Sequence, residues 1–203
     1  MAARKPTLTI FAGPNGSGKT TLVEALRETF DCGVLVNADQ IAVSFAKRIG
    51  EKTPSVETQW AAARAAEDMR WALMAQQISF VTETVMSDAK RWVTFVKEAK
   101  LQGYRVVLYF VTTADVSINV KRVAERVLSG GHAVPEEKIV SRYKKVMEEV
   151  LPCVLGSVDE SVLFDNSSPE TGLVGVLHIK HGRITPLVEM EKMPEWTHPL
   201  LVG

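Results

Sequence analysis

The chain has 203 residues, 46% hydrophobic and 24% charged, and its 24 Lys+Arg balance 24 Asp+Glu to a formal net charge of zero. These values belong to a globular chain and exclude collagen-like, low-complexity and largely disordered readings. Neutrality also argues against a dedicated nucleic-acid binder, and the length predicts one domain, residues 1–203, with a core of real size.

Thr7 to Ala12 is a short apolar run ending in glycine, which predicts a buried strand. It is too short for a signal-peptide core, and no stretch nears the roughly 20 apolar residues of a membrane helix, so a soluble, cytoplasmic protein is expected. Gly18 to Phe30 predicts a helix with Leu22, Val23 and Leu26 on one face. Gly33 to Val36 predicts a second strand. Ser55 to Gln77 predicts a long alanine-rich helix anchored in the core by Trp60 and Trp71. Ile78 to Thr82 predicts a third strand, and Asp88 to Leu101 a helix carrying a core Trp92 and closed by Gly103 in the C′ position. Tyr104 to Val111 and Ser161 to Phe164 predict two more strands. Leu173 to Lys180, His181-Gly182 and Arg183 to Val188 read as a hairpin (residues 173–188) appended after the sheet. The alternation implies βαβ units and a parallel sheet with helices on both faces. The two cysteines, Cys32 and Cys153, form no CxxC pattern and read as buried apolar thiols in a reducing cytosol. His178, His181 and His198 make no metal-ligand spacing.

One motif carries chemistry. Gly13-Pro14-Asn15-Gly16-Ser17-Gly18-Lys19-Thr20 fits GxxxxGK[ST] between an apolar strand and an amphipathic helix, with Thr21 following. Glycines let successive N–H groups approach a phosphate, and the helix N-terminus favours its charge. In such a loop Lys19 reaches the β- and γ-phosphates of ATP and the Thr20 hydroxyl ligates Mg²⁺. No N/TKxD element for guanine follows a strand, Asp165-Asn166-Ser167-Ser168 included. The most apolar strand ends Phe110-Val111-Thr112-Thr113 without the carboxylate of a motor ATPase. Both absences favour a small-molecule kinase.

Asp39 follows the second strand, where it serves either as a base for an acceptor hydroxyl or as the N-cap of a helix from Gln40. Glu83, next to Thr84 past the third strand, serves as a ligand for a substrate hydroxyl or for a Mg²⁺-bound water, or is a solvated strand-end carboxylate. Ser117 to Leu128 predicts a helix with Asn119, Arg122 and Arg126 on one side and a valine stripe beside them. Ser129 to Val134 is a flexible turn containing Gly130-Gly131-His132. Pro135 then suits the first position of a helix from Glu136 to Val150 that carries Arg142, Lys144 and Lys145. Residues 114–150 thus have the makings of a lid whose arginines neutralise a transferring phosphoryl group. The competing reading is a solvated helix face.

The segments GPNGSGKTT (13–21), NADQIA (37–42), ETVM (83–86) and NVKRVAERVLSGGHAVPEEKIVSRY (119–143) together resemble the zeta toxin family of P-loop kinases, in its short, stand-alone type. The resemblance implies a nucleotide-kinase-like fold and transfer of phosphate from ATP to the 3′-hydroxyl of UDP-N-acetylglucosamine. It also implies an antitoxin protein as a partner. It places the P-loop lysine at Lys19, the catalytic aspartate at Asp39, the acidic substrate-side residue at Glu83, and the lid arginines at Arg126 and Arg142 with Arg122 competing. Relatives act on other nucleotides, including nicotinamide dinucleotide. A nucleotide-gated switch with slow hydrolysis is the alternative of another class.

Overall fold

The central strands are buried almost without interruption, so the sheet they form must be covered on both faces. The computed structural model describes residues 5–27, 33–129, 131 and 133–201. Cys32, Gly130, His132 and the predicted helical residues 28–30 lie outside the described residues. Seven strands are present among those described: β1 (Thr7–Ala12), β2 (Val34–Asn37), β3 (Phe80–Thr84), β4 (Arg105–Thr112), β5 (Glu160–Asp165), β6 (Val174–Lys180) and β7 (Arg183–Pro186). They form one sheet in the order β2-β3-β1-β4-β5-β6-β7. Pairings from β2 through β5 are parallel, and β6 and β7 add antiparallel at the β5 side. The chain leaves β1 toward one side of the sheet and returns on its other side as β4. That is the switch point where open α/β sheets bind ligands, at the carboxyl ends of the strands.

The helices are α1 (Lys19–Arg27), α2 (Ala38–Ile49), α3 (Val56–Ala75), α4 (Ala89–Leu101), α5 (Val116–Leu128), α6 (Glu136–Lys145), α7 (Leu151–Leu155) and α8 (His198–Leu201). Local chemistry sets their ends. Ser55, Asp88 and Asp115 cap α3, α4 and α5 through side-chain oxygens that accept backbone N–H groups. Gly103, at φ 86°, follows α4 while Tyr104 N–H donates to the Ala99 carbonyl, the expected glycine stop. His181 and Gly182, with φ of 49° and 77°, make the hairpin turn.

Several expectations are corrected. The helix from Glu136 breaks into α6, a π-helical turn over Val146–Val150, and α7. Pro152 explains the break: it lacks an N–H, and its ring would collide with a carbonyl one turn back in a regular helix. Pro135 stands before α6 at the capping position, not inside its first turn. β3 begins two residues later than expected, which brings Glu83 into the strand. The hairpin is no appendage, because β6 pairs with β5 and continues the sheet. After it, Trp196 donates to Asp165 Oδ2 at 2.8 Å and ties the C-terminal segment to the end of β5.

One face of the sheet carries Phe11, Val81 and Val111 against Leu22 and Val23 of α1. Tyr109 stacks on Phe11 with centroids 5.1 Å apart. The other face carries Leu8, Ile10, Phe80, Leu108 and Leu163 against Ala66 and Met74 of α3, Trp92, Phe95 and Val96 of α4, and Val154 of α7. Trp92 is buried as expected. Trp60 and Trp71 are not core: they are 73% and 39% exposed, because α3 turns alanines, Met74 and Arg70 inward instead. Cys153 is exposed, since α7 buries Leu151 and Val154.

Two leucines separate core from surface. Leu108 is fully buried in β4, and Leu101 is 82% exposed at the end of α4. Leu108→Ala should lower unfolding free energy by about 2–5 kcal/mol, and Leu101→Ala by no more than about 0.5 kcal/mol. Urea denaturation of both variants checks this.

Candidate active site

The loop Gly13–Gly18 is seated from behind by three neighbours. Asn119 Nδ2 of α5 donates to the Asn15 carbonyl at 2.7 Å, and Asn166 Nδ2 after β5 donates to the Ser17 carbonyl at 2.8 Å. Asn119 is fully buried, and its Oδ1 accepts from the Thr113 hydroxyl. Contact this close leaves no room for a side chain at the glycines of the loop. A Cβ on Gly13 would lie 2.0 Å from the Val111 carbonyl oxygen. At Gly16 (φ 78°) a Cβ would lie 2.5 Å from the Asn119 carbonyl oxygen, and at Gly18 (φ 100°) 2.3 Å from Asn166 Nδ2. Both φ values also favour glycine.

The front of the loop opens into a cleft of about 580 Å³. Asn15, Gly16, Gly18, Lys19, Thr20 and Thr21 line it, whereas Gly13, Pro14 and Ser17 are buried behind. Lys19 Nζ donates to the Pro14 carbonyl at 2.9 Å.

Glu83 faces the loop from the end of β3. It accepts from Thr20 Oγ1 at 3.1 Å and from Asn37 Nδ2 at 2.7 Å. Asn37 in turn caps α2, accepting from the N–H groups of Asp39 and Gln40. This corrects the capping alternative for Asp39. The helix starts two residues earlier than Gln40, so Asp39 sits in its first turn with an exposed carboxylate that lines the cleft. Among the described residues no hydrogen bond is spent on that carboxylate. Thr84 also lines the cleft, its hydroxyl accepting from the Met86 N–H at 3.0 Å.

Three arginines close the other side. Arg142 Nη1 donates to Asn15 Oδ1 at 3.3 Å, and Arg122 Nη1 to the Asn166 carbonyl at 2.7 Å. Arg126 lines the cleft beside them. The helical spacing grouped Asn119 with Arg122 and Arg126 correctly, but Asn119 anchors α5 to the loop and does not present a charge-lined edge. Tyr143 OH donates to the Thr113 carbonyl at 2.6 Å and holds α6 to the end of β4.

The charges are coupled. Burial lowers the Lys19 pKa from 10.5 to about 8, with Glu83 and then Asp39 opposing and Arg126 and Arg142 assisting. Burial raises the Glu83 carboxyl above its ordinary range, and Lys19 and the Thr20 hydroxyl pull it back. No cluster of three metal-ligating side chains exists among the described residues. Thr20 and Glu83 nevertheless place hard oxygen atoms together beside Lys19, a donor set suited to a Mg²⁺ that takes its other ligands from phosphates and water.

A family model described as Zeta toxin matches residues 1–166. The chain belongs to the zeta toxin family. An uncharacterized protein of Haemophilus influenzae is 30% identical over 133 residues, 66% of this chain and 89% of that protein. A chain from the AvrRxo1-ORF1:-ORF2 complex with ATP superposes with a TM-score of 0.73 at 20% identity, covering 91% of this zeta toxin family member. The latter spans only 61% of that chain. The PezAT chromosomal toxin–antitoxin system of Streptococcus pneumoniae gives a TM-score of 0.58 at 15% identity, covering 86% of this chain and 72% of that one. Family and fold together support a phosphotransferase.

Sequence reasoning missed Asn37 and Asn166 as site residues. An Asn directly before a helix is a capping signal, and a polar residue just past an apolar strand lies at the ligand edge of the sheet.

The depressed Lys19 pKa has a measurable consequence. In the free protein the amine is mostly neutral above pH 8, and polyphosphate favours the charged form. ATP binding at about pH 9 should therefore take up most of a proton, and binding at about pH 7 much less. Calorimetry in buffers of different ionisation enthalpy reads this. Identical heats in all buffers at about pH 9 would contradict it.

Proposed function

We propose that this protein is an ATP-dependent small-molecule kinase that phosphorylates a hydroxyl of a nucleotide or nucleotide sugar, UDP-N-acetylglucosamine being the acceptor that the family resemblance implies. One observation carries the reading: a single cleft brings together the P-loop lysine, a carboxylate on the Thr20 hydroxyl, an uncommitted carboxylate at Asp39, and three arginines. The likeness to a chain from an ATP complex supports the donor.

In this reading Lys19 offsets charge on the β- and γ-phosphates. Thr20, with Glu83 behind it, would hold Mg²⁺, which when bound neutralises charge on the phosphates. Asp39 accepts the proton of the acceptor hydroxyl as its oxygen bonds to the γ-phosphorus. The bond from that phosphorus to the β-bridging oxygen breaks, and ADP leaves. Arg126 and Arg142 stabilise the transferring phosphoryl group, and Arg122, bonded to the Asn166 carbonyl, positions α5. Residues 114–150 act as a lid in the single domain 1–203. Closure excludes water, which favours transfer to the acceptor over hydrolysis. The likeness to a chain from a toxin–antitoxin system supports an antitoxin-type protein as partner. No helix among the described residues is long and apolar enough to cross a membrane, and a cytoplasmic setting with its ATP pool suits the reaction.

Mass spectrometry of a metabolite extract incubated with protein, ATP and Mg²⁺ tests the activity. A metabolite that gains one phosphate with wild type and not with Lys19→Ala is expected. No such metabolite would contradict the proposal.

Asp39→Asn should separate binding from chemistry. Asn37 caps α2, so the fold and the ATP dissociation constant should be retained. Loss of a positioned base should lower single-turnover phosphorylation about 10²- to 10⁴-fold. A rate within a few-fold of wild type would remove Asp39 from the mechanism.

A further inference from the structure

Arg70 is a charged residue on the inward face of α3, with 8% of its surface exposed. Its guanidinium carbon lies 5.7 Å from the Trp92 ring centroid and 6.0 Å from that of Phe95. Two rings of α4 therefore lie against the group. Among the described residues Arg70 has no hydrogen bond and no ion pair. The nearby carboxylates are committed elsewhere. Glu67, one turn earlier on α3, pairs with Arg91 at 2.7 Å. Asp88 caps α4, accepting from the Arg91 N–H at 3.0 Å. Burial, and after it the positive charge of Arg91, lower the Arg70 pKa against the pull of Glu67.

The Arg70 side chain lines the same cleft as the P-loop and Asp39, on the wall that α3 and α4 build. A second, smaller hollow of about 310 Å³ lies against the same arginine and Trp92. A buried cation without a counter-charge is costly unless something completes it. Stacking on aromatic rings holds the guanidinium face and leaves its N–H edge unsatisfied. That edge is a planar fork which matches a phosphate or carboxylate through two parallel hydrogen bonds.

We propose that Arg70 is a specificity residue that receives an anionic group of the acceptor, a phosphate or a carboxylate, away from the hydroxyl being phosphorylated. This rests on the acceptor-kinase reading above. It restricts acceptors to anionic molecules and excludes neutral sugars and alcohols. Trp92 and Phe95 act as positioning residues for the guanidinium.

The test uses the whole chain saturated with Mg²⁺ and a non-hydrolysable ATP analogue, so that the P-loop is filled. It is titrated with inorganic pyrophosphate and, separately, with malonate. At least one probe should bind, and Arg70→Met should weaken that binding about 10- to 100-fold with analogue affinity retained. Arg70→Lys should fall between, since it keeps the charge and loses the fork. Tighter pyrophosphate binding assigns a phosphate, and tighter malonate binding a carboxylate. Failure of both probes to bind wild type, or equal binding by Arg70→Met, overturns the proposal. Should Arg70→Met not fold, undiminished binding by Arg70→Lys overturns it. A wild type that does not bind the ATP analogue sinks the kinase reading itself, and with it the acceptor role of Arg70.

Discussion

The Glu83 carboxylate bonds to Thr20 at the start of α1 and to Asn37 at the end of β2, and most of the cleft depends on that pair of contacts. Because Asn37 also caps α2, one acid fixes the phosphate loop and the first turn of the helix that presents Asp39. Burial raises the cost of keeping Glu83 charged, and Lys19 lowers it. The loop lysine and the β3 acid thus each favour the charged form of the other, whereas the Asp39 side chain is exposed. Two carboxylates in one cleft therefore have different surroundings, Glu83 bonded between Thr20 and Asn37 and Asp39 exposed in the first turn of α2.

The same economy governs the far side. Asn119 and Asn166 each spend an amide on a carbonyl of the loop. The glycines they press upon cannot carry a Cβ there. The loop is therefore held by α5 and the β5 end as much as by its own turn. Arg142 reaches Asn15 from α6, so α5 and α6 both contact the loop.

Much of this was legible in the sequence where the chemistry is local. The strand, glycine-rich loop and helix read directly, and so did the strand–helix alternation and the hairpin turn at His181-Gly182. The group Asn119, Arg122 and Arg126 was on one face as expected, but periodicity says nothing of what a face touches. The partner of Asn119 is Asn15, more than a hundred residues away. Helical spacing likewise could not tell which side of α3 is inward. Tryptophans are ordinarily the better anchors, yet alanines fit the close approach to the sheet, and Arg70 is buried because Trp92 and Phe95 supply a surface for it. The site errors were of register. A two-residue shift of β3 brings Glu83 into line with Asn37, and a two-residue shift of α2 moves the cap from Asp39 to Asn37. Such shifts are settled by strand pairing between distant segments, which composition does not encode.

The central claim is that the cleft delivers the γ-phosphoryl group of ATP to an organic acceptor. Its most direct measurement follows the label from γ-³²P-ATP in purified protein, with and without a metabolite extract from which nucleoside triphosphates have been removed. The account predicts little inorganic phosphate without extract, and with extract a labelled organic phosphate formed in step with ADP. Label released as inorganic phosphate at the same rate in both cases, with no labelled organic product, would contradict it and identify a slow switch ATPase instead.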